Sequence, residues 1–291
     1  MFSRIAIIGT GLLGASIGLA ARRNIPDCHV VGIGRRQETL DTARQLGAID
    51  ETSLSIAEGV SGCRLVILCT PVGRIVEQVF EVAQAADTSP IITDVGSTKH
   101  AICNAVEQRL PLPGGCRFLG GHPIAGGEKT GPEAASDSLF KNRAVVLTPS
   151  DSCDQNTVDT LRLFWESLGA RVSCMTPHEH DRVLALTSHL PHVVSAALAT
   201  VCDRTTYGDY CGTGYESMTR LASGSPELWR DILVTNREAV CNAIDDFEKA
   251  CCRFRNALMK NDANTVLRLL ENAKSRGKEQ YQNNYVKLSS E

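Results

Sequence analysis

Residues 5–14 read IAIIGTGLLG, and this short stretch decides the fold. Four apolar residues suited to a buried strand lead into a turn with three glycines, and a helical pattern follows the turn. Gly9 permits the tight turn, Gly11 lets the backbone approach a pyrophosphate, and Gly14 lets the helix pack closely on the strand. Because the motif stands in the strand–turn–helix setting that it requires, it predicts a dinucleotide site at the first βα turn.

Short apolar runs alternate with helical stretches over residues 1–175. The predicted strands are Ile5–Ile8, His29–Ile33, Leu65–Cys69, Ile91–Val95, Phe118–Leu119, Ala144–Leu147 and Val172–Met175. The predicted helices are Leu13–Arg23, Gln37–Leu46, Arg74–Ala85, Lys99–Arg109 and Asn156–Leu168. Such alternation is typical of βαβ units, so the predicted fold class is α/β, with a Rossmann-type, doubly wound parallel sheet as the dinucleotide-binding domain.

The pattern changes at Thr176, beyond which helices replace the alternation. Thr176 can cap a helix, Pro177 suits its first position, and Glu179 completes a capping box. Helices are predicted over residues 177–203, 213–222, 226–260 and 262–281, with no strand among them. Residues 176–291 are therefore predicted to form an all-α dimerisation domain, and the protein to be a homodimer through it.

The composition, with 43% hydrophobic and 22% charged residues in a chain of 291, is that of a globular protein. A net charge of −3 argues against broad electrostatic binding to nucleic acid or to an anionic membrane. No apolar run reaches the ~18–20 residues of a membrane span, and the amino terminus lacks a signal-peptide pattern, so a cytoplasmic protein is expected. The 12 cysteines form no CxxC pair and no zinc pattern, and we interpret them as reduced thiols.

The position that contacts the adenine ribose lies about 20 residues beyond Gly14, and here it is Gly34. An NAD site would use a carboxylate at this place. A small residue followed by Arg35 and Arg36 suits a 2′-phosphate, so NADP is favoured, and NAD is possible if both arginines only begin a solvated helix. Later strand ends should complete the site, although Asp94 could instead cap a helix. The predicted cofactor contacts are Gly9, Gly11, Leu12, Leu13, Gly14, Gly34, Arg35, Arg36, Thr70, Pro71 and Asp94.

Further motifs follow along both predicted domains. They are GTGLLGAS at 9–16, DVGSTK at 94–99, GGHPIAGGE at 120–128, SHLPH at 188–192, TRLA at 219–222 and SPELWRDI at 225–232. Together and in this order they resemble the prephenate/arogenate dehydrogenase family of tyrosine biosynthesis. The resemblance implies oxidative decarboxylation of a cyclohexadienol. A hydride leaves the ring carbon that bears the hydroxyl for the nicotinamide, the ring carboxylate departs as carbon dioxide, and the ring becomes aromatic.

The resemblance also implies roles for individual residues. His122 accepts the hydroxyl proton, a task that suits a neutral imidazole near neutral pH. Ser97 hydrogen-bonds this histidine or the substrate hydroxyl, with a helix cap as its alternative. Arg220 binds a substrate carboxylate, because a guanidinium makes paired hydrogen bonds and keeps its charge. The other expected substrate contacts are His189, His192, Glu128 and Trp229.

His189 and His192 lie three residues apart, so one helical face can hold both. This spacing would also suit two metal ligands, but no third ligand is evident, and no metal is predicted. Pro191 between them should kink the helix.

Several alternatives stay open on the sequence. Prephenate and arogenate differ by a keto or an amino group, and an acid at Glu128 could pair with the amino group. A β-hydroxyacid dehydrogenase or an imine reductase would share the domain plan, but not the HPIAG and SHLPH segments. A non-catalytic dinucleotide-sensing protein would not need His122, Ser97 and Arg220 together. The enzyme hypothesis predicts that His122 and Arg220 meet in one cleft beside the nicotinamide.

Overall fold

The computed structural model describes residues 2–127, 129–202 and 207–289, with side chains up to Gly277. Its strands are β1 (Arg4–Ile8), β2 (His29–Ile33), β3 (Glu51–Ser53), β4 (Leu65–Leu68), β5 (Ile91–Asp94), β6 (Arg117–Pro123), β7 (Ala144–Thr148) and β8 (Arg171–Cys174). They form one sheet in the order β3-β2-β1-β4-β5-β6-β7-β8. The strand order reverses direction between β1 and β4, the place where open α/β sheets bind their ligands.

All neighbouring strands are parallel except β6 and β7, which pair antiparallel with His122 opposite Val146. The predicted parallel sheet is confirmed for every neighbouring pair except β6 and β7. A parallel partner needs a crossover connection, usually a helix. The described part of residues 124–143 holds only the 3-10 turn Pro132–Ala134, so the chain returns beside β6 in the opposite direction. His122, expected after a strand, lies inside β6.

Helices cover both faces of the sheet. The helices of this part are α1 (Leu12–Asn24), α2 (Gln37–Gln45), α3 (Ile56–Gly59), α4 (Val72–Ala85), α5 (His100–Glu107) and α6 (Gln155–Ser167). In β1, Ile5 and Ile7 join one hydrophobic core, and Ala6 and Ile8 join the other. Alternate side chains of a strand point to opposite faces, so the doubly wound sheet that the apolar runs predicted is confirmed.

Beyond β8 the described residues form helices and no strand. They are α7 (Pro177–Leu184), α8 (Leu190–Val201), α9 (Thr213–Thr219), α10 (Pro226–Thr235), α11 (Arg237–Met259) and α12 (Ala263–Ser289). Thr176 caps α7 as predicted, because its side chain accepts a hydrogen bond from the Glu179 N–H at 3.1 Å. Met1–Val240 form one compact unit and Cys241–Glu291 a second.

Two of the predicted long helices are interrupted. A π-helical turn, Ala185–His189, separates α7 from α8 just before Pro191, where a kink was expected. The helix predicted over 226–260 is broken at Asn236, whose backbone leaves the helical region at φ −112°. Both interruptions are local departures from the α-helix that hydrophobic periodicity does not reveal, and both carry polar residues of the site described below.

Among the described residues, one helical run, Pro177–Val201, is long and apolar enough to be a candidate membrane span. The amino-acid sequence shows no continuous apolar run here, because charged and polar residues fill the first turns of α7. The same run carries five buried polar side chains, His180, Asp181, His189, His192 and Ser195.

Candidate active site

The glycine turn after β1 has the shape that a dinucleotide pyrophosphate requires. Gly9 has a φ of +95°, and a Cβ there would lie 2.5 Å from the Cys69 carbonyl oxygen. A Cβ on Gly14 would lie 2.0 Å from the Gly9 oxygen, so only glycine fits both places. A Cβ on Gly11 would meet no atom within 4 Å, which leaves that side of the turn open. Gly11 also begins α1 without a side-chain cap, and the first helical N–H groups are therefore available to an anion.

The end of β2 presents the residues expected near the adenine ribose. Gly34 is half-buried, and Arg35 and Arg36 are exposed at the start of α2. The exposed guanidinium groups can therefore reach a phosphate at this edge, but they lie equally well in solvent.

Two later strand ends behave differently from one another. The Thr70 hydroxyl, after β4, is hydrogen-bonded to Gln78 in α4, and Pro71 beside it is exposed. Asp94, at the end of β5, is fully buried and accepts hydrogen bonds from the backbone N–H of Gly96 at 2.9 Å and of Gly121 at 3.2 Å. Its carboxylate braces two strand ends from inside the protein, and its contact with a cofactor stays a prediction.

A buried lysine completes this brace. The Lys99 ammonium group is fully buried and pairs with the Asp94 carboxylate. An isolated buried charge is costly, and the pair together with the two N–H donors offsets that cost. The pairing thereby fixes the Lys99 side chain beneath the end of β6, where His122 lies.

His122 begins a chain of three hydrogen-bonded side chains. Its Nδ1 atom lies 2.8 Å from Nε2 of His180, and Nδ1 of His180 lies 2.7 Å from Oδ1 of Asp181. Asp181 also accepts hydrogen bonds from the backbone N–H of Lys99 at 2.8 Å and of His100 at 3.0 Å, so it caps α5 from another helix. This carboxylate thus joins the start of α5 to the imidazole chain.

The chain fixes the tautomers of both imidazoles. An ionised Asp181 only accepts hydrogen bonds, so Nδ1 of His180 carries the proton and its Nε2 is an acceptor. Nδ1 of His122 must then donate to that acceptor. A neutral His122 therefore keeps an unprotonated Nε2, which is the atom able to take a proton from a bound molecule.

Electrostatics keep His122 neutral. Burial lowers its pKa well below the ordinary value, and electrostatic contributions of His180, Lys99 and His189 lower the pKa further. Burial acts to raise the pKa of Asp181, but the hydrogen bonds from His180 and from the two backbone N–H groups outweigh it and hold the pKa below its usual range. Near neutral pH, Asp181 is therefore a carboxylate and His122 is a neutral proton acceptor.

A second polar cluster adjoins the first. The Asn236 side-chain amide donates to the main-chain oxygen of Asp181 at 2.8 Å and lies 3.1 Å from Nδ1 of His189. His192 stacks on Trp229, with ring centroids 3.6 Å apart and planes inclined by 10°, while His189 meets the same ring edge-on at 6.2 Å. Both histidines of the SHLPH segment therefore contact one tryptophan, as their shared helical face allows.

The 3-10 turn that begins at Arg220 ends against this cluster. A Cβ on Gly224 would lie 2.7 Å from Trp229 Nε1 and 3.4 Å from the His192 ring, so glycine gives the tryptophan its place. Within the turn, the Ala222 N–H donates to Ser195 Oγ in α8 at 3.0 Å. Arg220 itself is exposed. Its convergence with His122 on one cleft stays a prediction.

The structure gives less information on two further predicted site residues, Ser97 and Glu128. Ser97 is partly exposed in the turn between β5 and α5, while His180 takes the Nδ1 atom of His122. The helix-cap alternative for Asp94 and for Ser97 is wrong, because Asp181 caps α5. Glu128 lies outside the described residues. Among those residues, no group of three or more His, Cys, Asp or Glu side chains could hold a metal ion.

The glycine turn and the His122 chain lie at the same edge of the sheet, at the carboxyl ends of β1 and β6. These strands are three places apart, or about 14 Å at the usual strand spacing. An extended dinucleotide spans such a distance. Fold and site together define an α/β nucleotide-binding protein with a buried acid–base chain at the far end of the nucleotide site.

Comparison with known proteins identifies the family. Residues 17–174 match the nucleotide-binding domain of prephenate dehydrogenase, and residues 176–272 match its dimerization domain. The chain belongs to the prephenate dehydrogenase family.

Similar proteins of known name agree with this assignment. Prephenate dehydrogenase of Bacillus subtilis is 34% identical over 94% of this chain and 75% of its own length. Cyclohexadienyl dehydrogenase of Zymomonas mobilis is 33% identical over 92% of each chain. The crystal structure of Aquifex aeolicus prephenate dehydrogenase in complex with hydroxyphenyl propionate and NAD+ superposes with a TM-score of 0.88, at 31% identity over 95% of this chain and 97% of that one.

Proposed function

We propose that this protein oxidatively decarboxylates prephenate, or arogenate, and transfers the hydride to a nicotinamide dinucleotide. The observation that carries the proposal is the His122–His180–Asp181 chain, because it leaves one neutral imidazole nitrogen as a proton acceptor. The family assignment supplies the reaction class, and the names of the similar proteins supply the substrate class.

The glycine turn would hold the pyrophosphate of the cofactor, which supplies the hydride acceptor when bound. Gly11 leaves room for the pyrophosphate, and the start of α1 offers it N–H donors. We favour NADP because Arg35 and Arg36 follow Gly34 where an NAD site would carry an acid. The Aquifex aeolicus protein has been crystallised with NAD+, so a dual preference is the natural alternative.

His122 Nε2 would accept the proton of the ring hydroxyl as the hydride leaves the same carbon. His180 holds the His122 ring through Nδ1, and Asp181 holds His180. As His122 becomes an imidazolium, the Asp181 carboxylate stabilises the added charge through the intervening ring. No group needs to move to receive this proton, so the site is preorganised for the step.

Substrate carboxylates would bind on the helical side of the site. Arg220 is suited to a bidentate pair with a carboxylate. His192 is buried with its Nδ1 atom lacking a hydrogen-bond partner among the described residues, so a substrate oxygen could complete its bonding. Trp229 fixes the plane of the His192 ring, and Ser97 would meet the substrate hydroxyl from the turn before α5.

The helical part would pair with a second copy of the chain. Residues 176–272 match a dimerization domain. Large apolar side chains are exposed there, among them Val201, Tyr210, Met218, Leu258 and Met259. Exposed apolar surface of this kind marks an interface. Light scattering of the purified protein should give twice the chain mass of 31.4 kDa.

An assay of prephenate and of arogenate against NAD and NADP tests the proposed activity. Reduced cofactor should appear with at least one of the four combinations, and faster with NADP. His122→Asn should lose most turnover while cofactor affinity is retained, because the amide cannot take the proton. If the unmodified protein reduces cofactor with neither substrate, or if His122→Asn turns over normally, the proposed function is wrong.

A further inference from the structure

Two cysteine thiols meet at the end of α8. The Sγ atoms of Cys202 and Cys211 are 3.9 Å apart, and both residues are half-buried. Cys202 follows the last residue of α8, and Cys211 follows the 3-10 turn Gly208–Tyr210 shortly before α9. The Cys211 thiol also donates to the Tyr207 carbonyl at 3.5 Å. Two sulfurs in van der Waals contact need to approach by only roughly 2 Å to reach disulfide length.

Other cysteines of the protein are in a different situation. Cys28, Cys63 and Cys103 are buried, and burial raises the pKa of each thiol to about 11. Thiolate is the reactive form, so these groups are protected by both their low exposure and their raised pKa. Cys174 and Cys241 are exposed, and the Cys174 sulfur accepts a hydrogen bond from the Arg162 guanidinium at 3.3 Å. The Cys202–Cys211 pair combines access with a neighbouring sulfur.

We propose that Cys202 and Cys211 form a reversible disulfide on reaction with a small disulfide of the glutathione class. One thiolate attacks the small disulfide, forms a mixed disulfide and releases one small thiol. The second protein thiolate then attacks the sulfur of its partner and releases the other small thiol. Two electrons pass from the protein to the small disulfide, and the two protons end on the two released thiols.

The position of the pair gives the bond a defined effect. α8 carries His192 and Ser195, and the segment after Cys211 leads through α9 to Arg220. The two segments are already tied by the hydrogen bond from Ala222 to Ser195 at 3.0 Å. A disulfide between Cys202 and Cys211 would add a covalent tie at the other end of the same pair of helices. Oxidation would therefore restrict how far the Arg220 segment can move from α8.

Peptide mapping of the full-length protein tests the bond directly. The protein is equilibrated with a large excess of oxidised glutathione, alkylated and digested without reductant. The expected result is a peptide pair linked through Cys202 and Cys211, two fewer alkylatable thiols, and full reversal by dithiothreitol. Thermal unfolding of the oxidised protein should shift upward by roughly 5 °C, because the crosslink constrains the unfolded chain.

Matched variants separate the pair from the other cysteines. Cys202→Ser and Cys211→Ser should each abolish the linked peptide and the thermal shift. Cys174→Ser and Cys241→Ser, at exposed thiols, should keep both. Stable glutathione adducts without the linked peptide, a linked peptide with another partner, or no loss of thiols would each overturn the proposal. None of these outcomes depends on the enzyme activity, so the proposed function can fail or hold separately.

Discussion

The side-chain amide of Asn236 donates to the main-chain oxygen of Asp181 at 2.8 Å, and this bond ties the break between α10 and α11 to the residue that orients His180. Its second N–H faces Nδ1 of His189 at 3.1 Å. One buried amide therefore satisfies acceptors from two different segments, and the interruption of the helix predicted over 226–260 has a structural purpose.

Removing this amide should destabilise the protein. Asn236→Ala leaves two buried acceptors without a donor, which costs about 1–3 kcal/mol of unfolding free energy. Asn236→Asp keeps the size but replaces the donor by an acceptor, and should cost at least as much. Urea unfolding measures both. Asn264→Ala, at an exposed asparagine, is the control and should change stability by less than about 0.5 kcal/mol.

His180 should set the proton affinity of His122. In His180→Asn the electrostatic contribution by which His180 lowers the pKa of His122 is gone, so that pKa rises. The acid limb of the kcat/KM profile should move to higher pH, and kcat should fall about tenfold or more because the ring loses its support. His178→Asn, at an exposed histidine two residues earlier, serves as the matched control. An unchanged acid limb in His180→Asn would exclude the coupling.

Acid should destabilise the fold through His189. Burial lowers its pKa from 6.5 to about 4, so between these pH values His189 binds a proton in the unfolded chain but not in the folded protein. The folded state therefore has its full stability above pH 6.5, where His189 is neutral in both states. It loses stability as the pH falls from 6.5 toward 4. Between pH 7 and pH 5 the loss should reach about 2 kcal/mol. Denaturant unfolding at both pH values should show a smaller difference in His189→Asn than in the unmodified protein.

Substitution by alanine should affect different properties at the two glycines of the turn, stability at Gly14 and cofactor affinity at Gly11. A Cβ on Gly14 meets the Gly9 oxygen at 2.0 Å, so Gly14→Ala should lower stability by roughly 1–3 kcal/mol. A Cβ on Gly11 meets no protein atom, so Gly11→Ala should fold normally and yet lose cofactor affinity about tenfold or more. Thermal unfolding and cofactor titration separate the two effects. If Gly11→Ala binds the cofactor normally, the pyrophosphate does not bind at this turn.

Cofactor preference should depend on the arginines after β2. Arg35→Ala combined with Arg36→Ala should weaken NADP binding by roughly tenfold or more and NAD binding much less, because only NADP carries the 2′-phosphate. Arg44→Ala, at an exposed arginine in α2, should leave both affinities unchanged. Equal losses for NADP and NAD in the double variant would assign the arginines to another role.

Much of the nucleotide-binding part could be predicted from local patterns. The buried strands are continuous apolar runs, the glycine turn has fixed spacing, and Thr176 caps α7 through its neighbours. β3 was missed because Glu51–Ser53 is a short polar edge strand. The direction of β7 depends on the absence of a crossover helix in the described connection, and periodicity does not report that.

The sequence predicted only those site residues that belong to a recognisable motif. His122 and the two histidines of SHLPH stand in recognisable segments, but His180, Asp181 and Asn236 do not. His180 contacts His122 across 58 positions of sequence, and Asn236 reaches Asp181 across 55. Two polar residues in the first turns of a helix suggest a solvated face. Only the tertiary fold shows that these side chains are buried and paired.

The π-helical turn at Ala185–His189 has a consequence for the angular phase of the helix that contains it. An α-helix advances by about 100° per residue, and a π-turn accommodates one residue more than an α-turn does. The turn therefore sets the rotation between His180 and Asp181 on one side and His192 on the other. Without that extra residue, His192 would point roughly a quarter-turn or more away from Trp229, although every helix retained its place in the sequence.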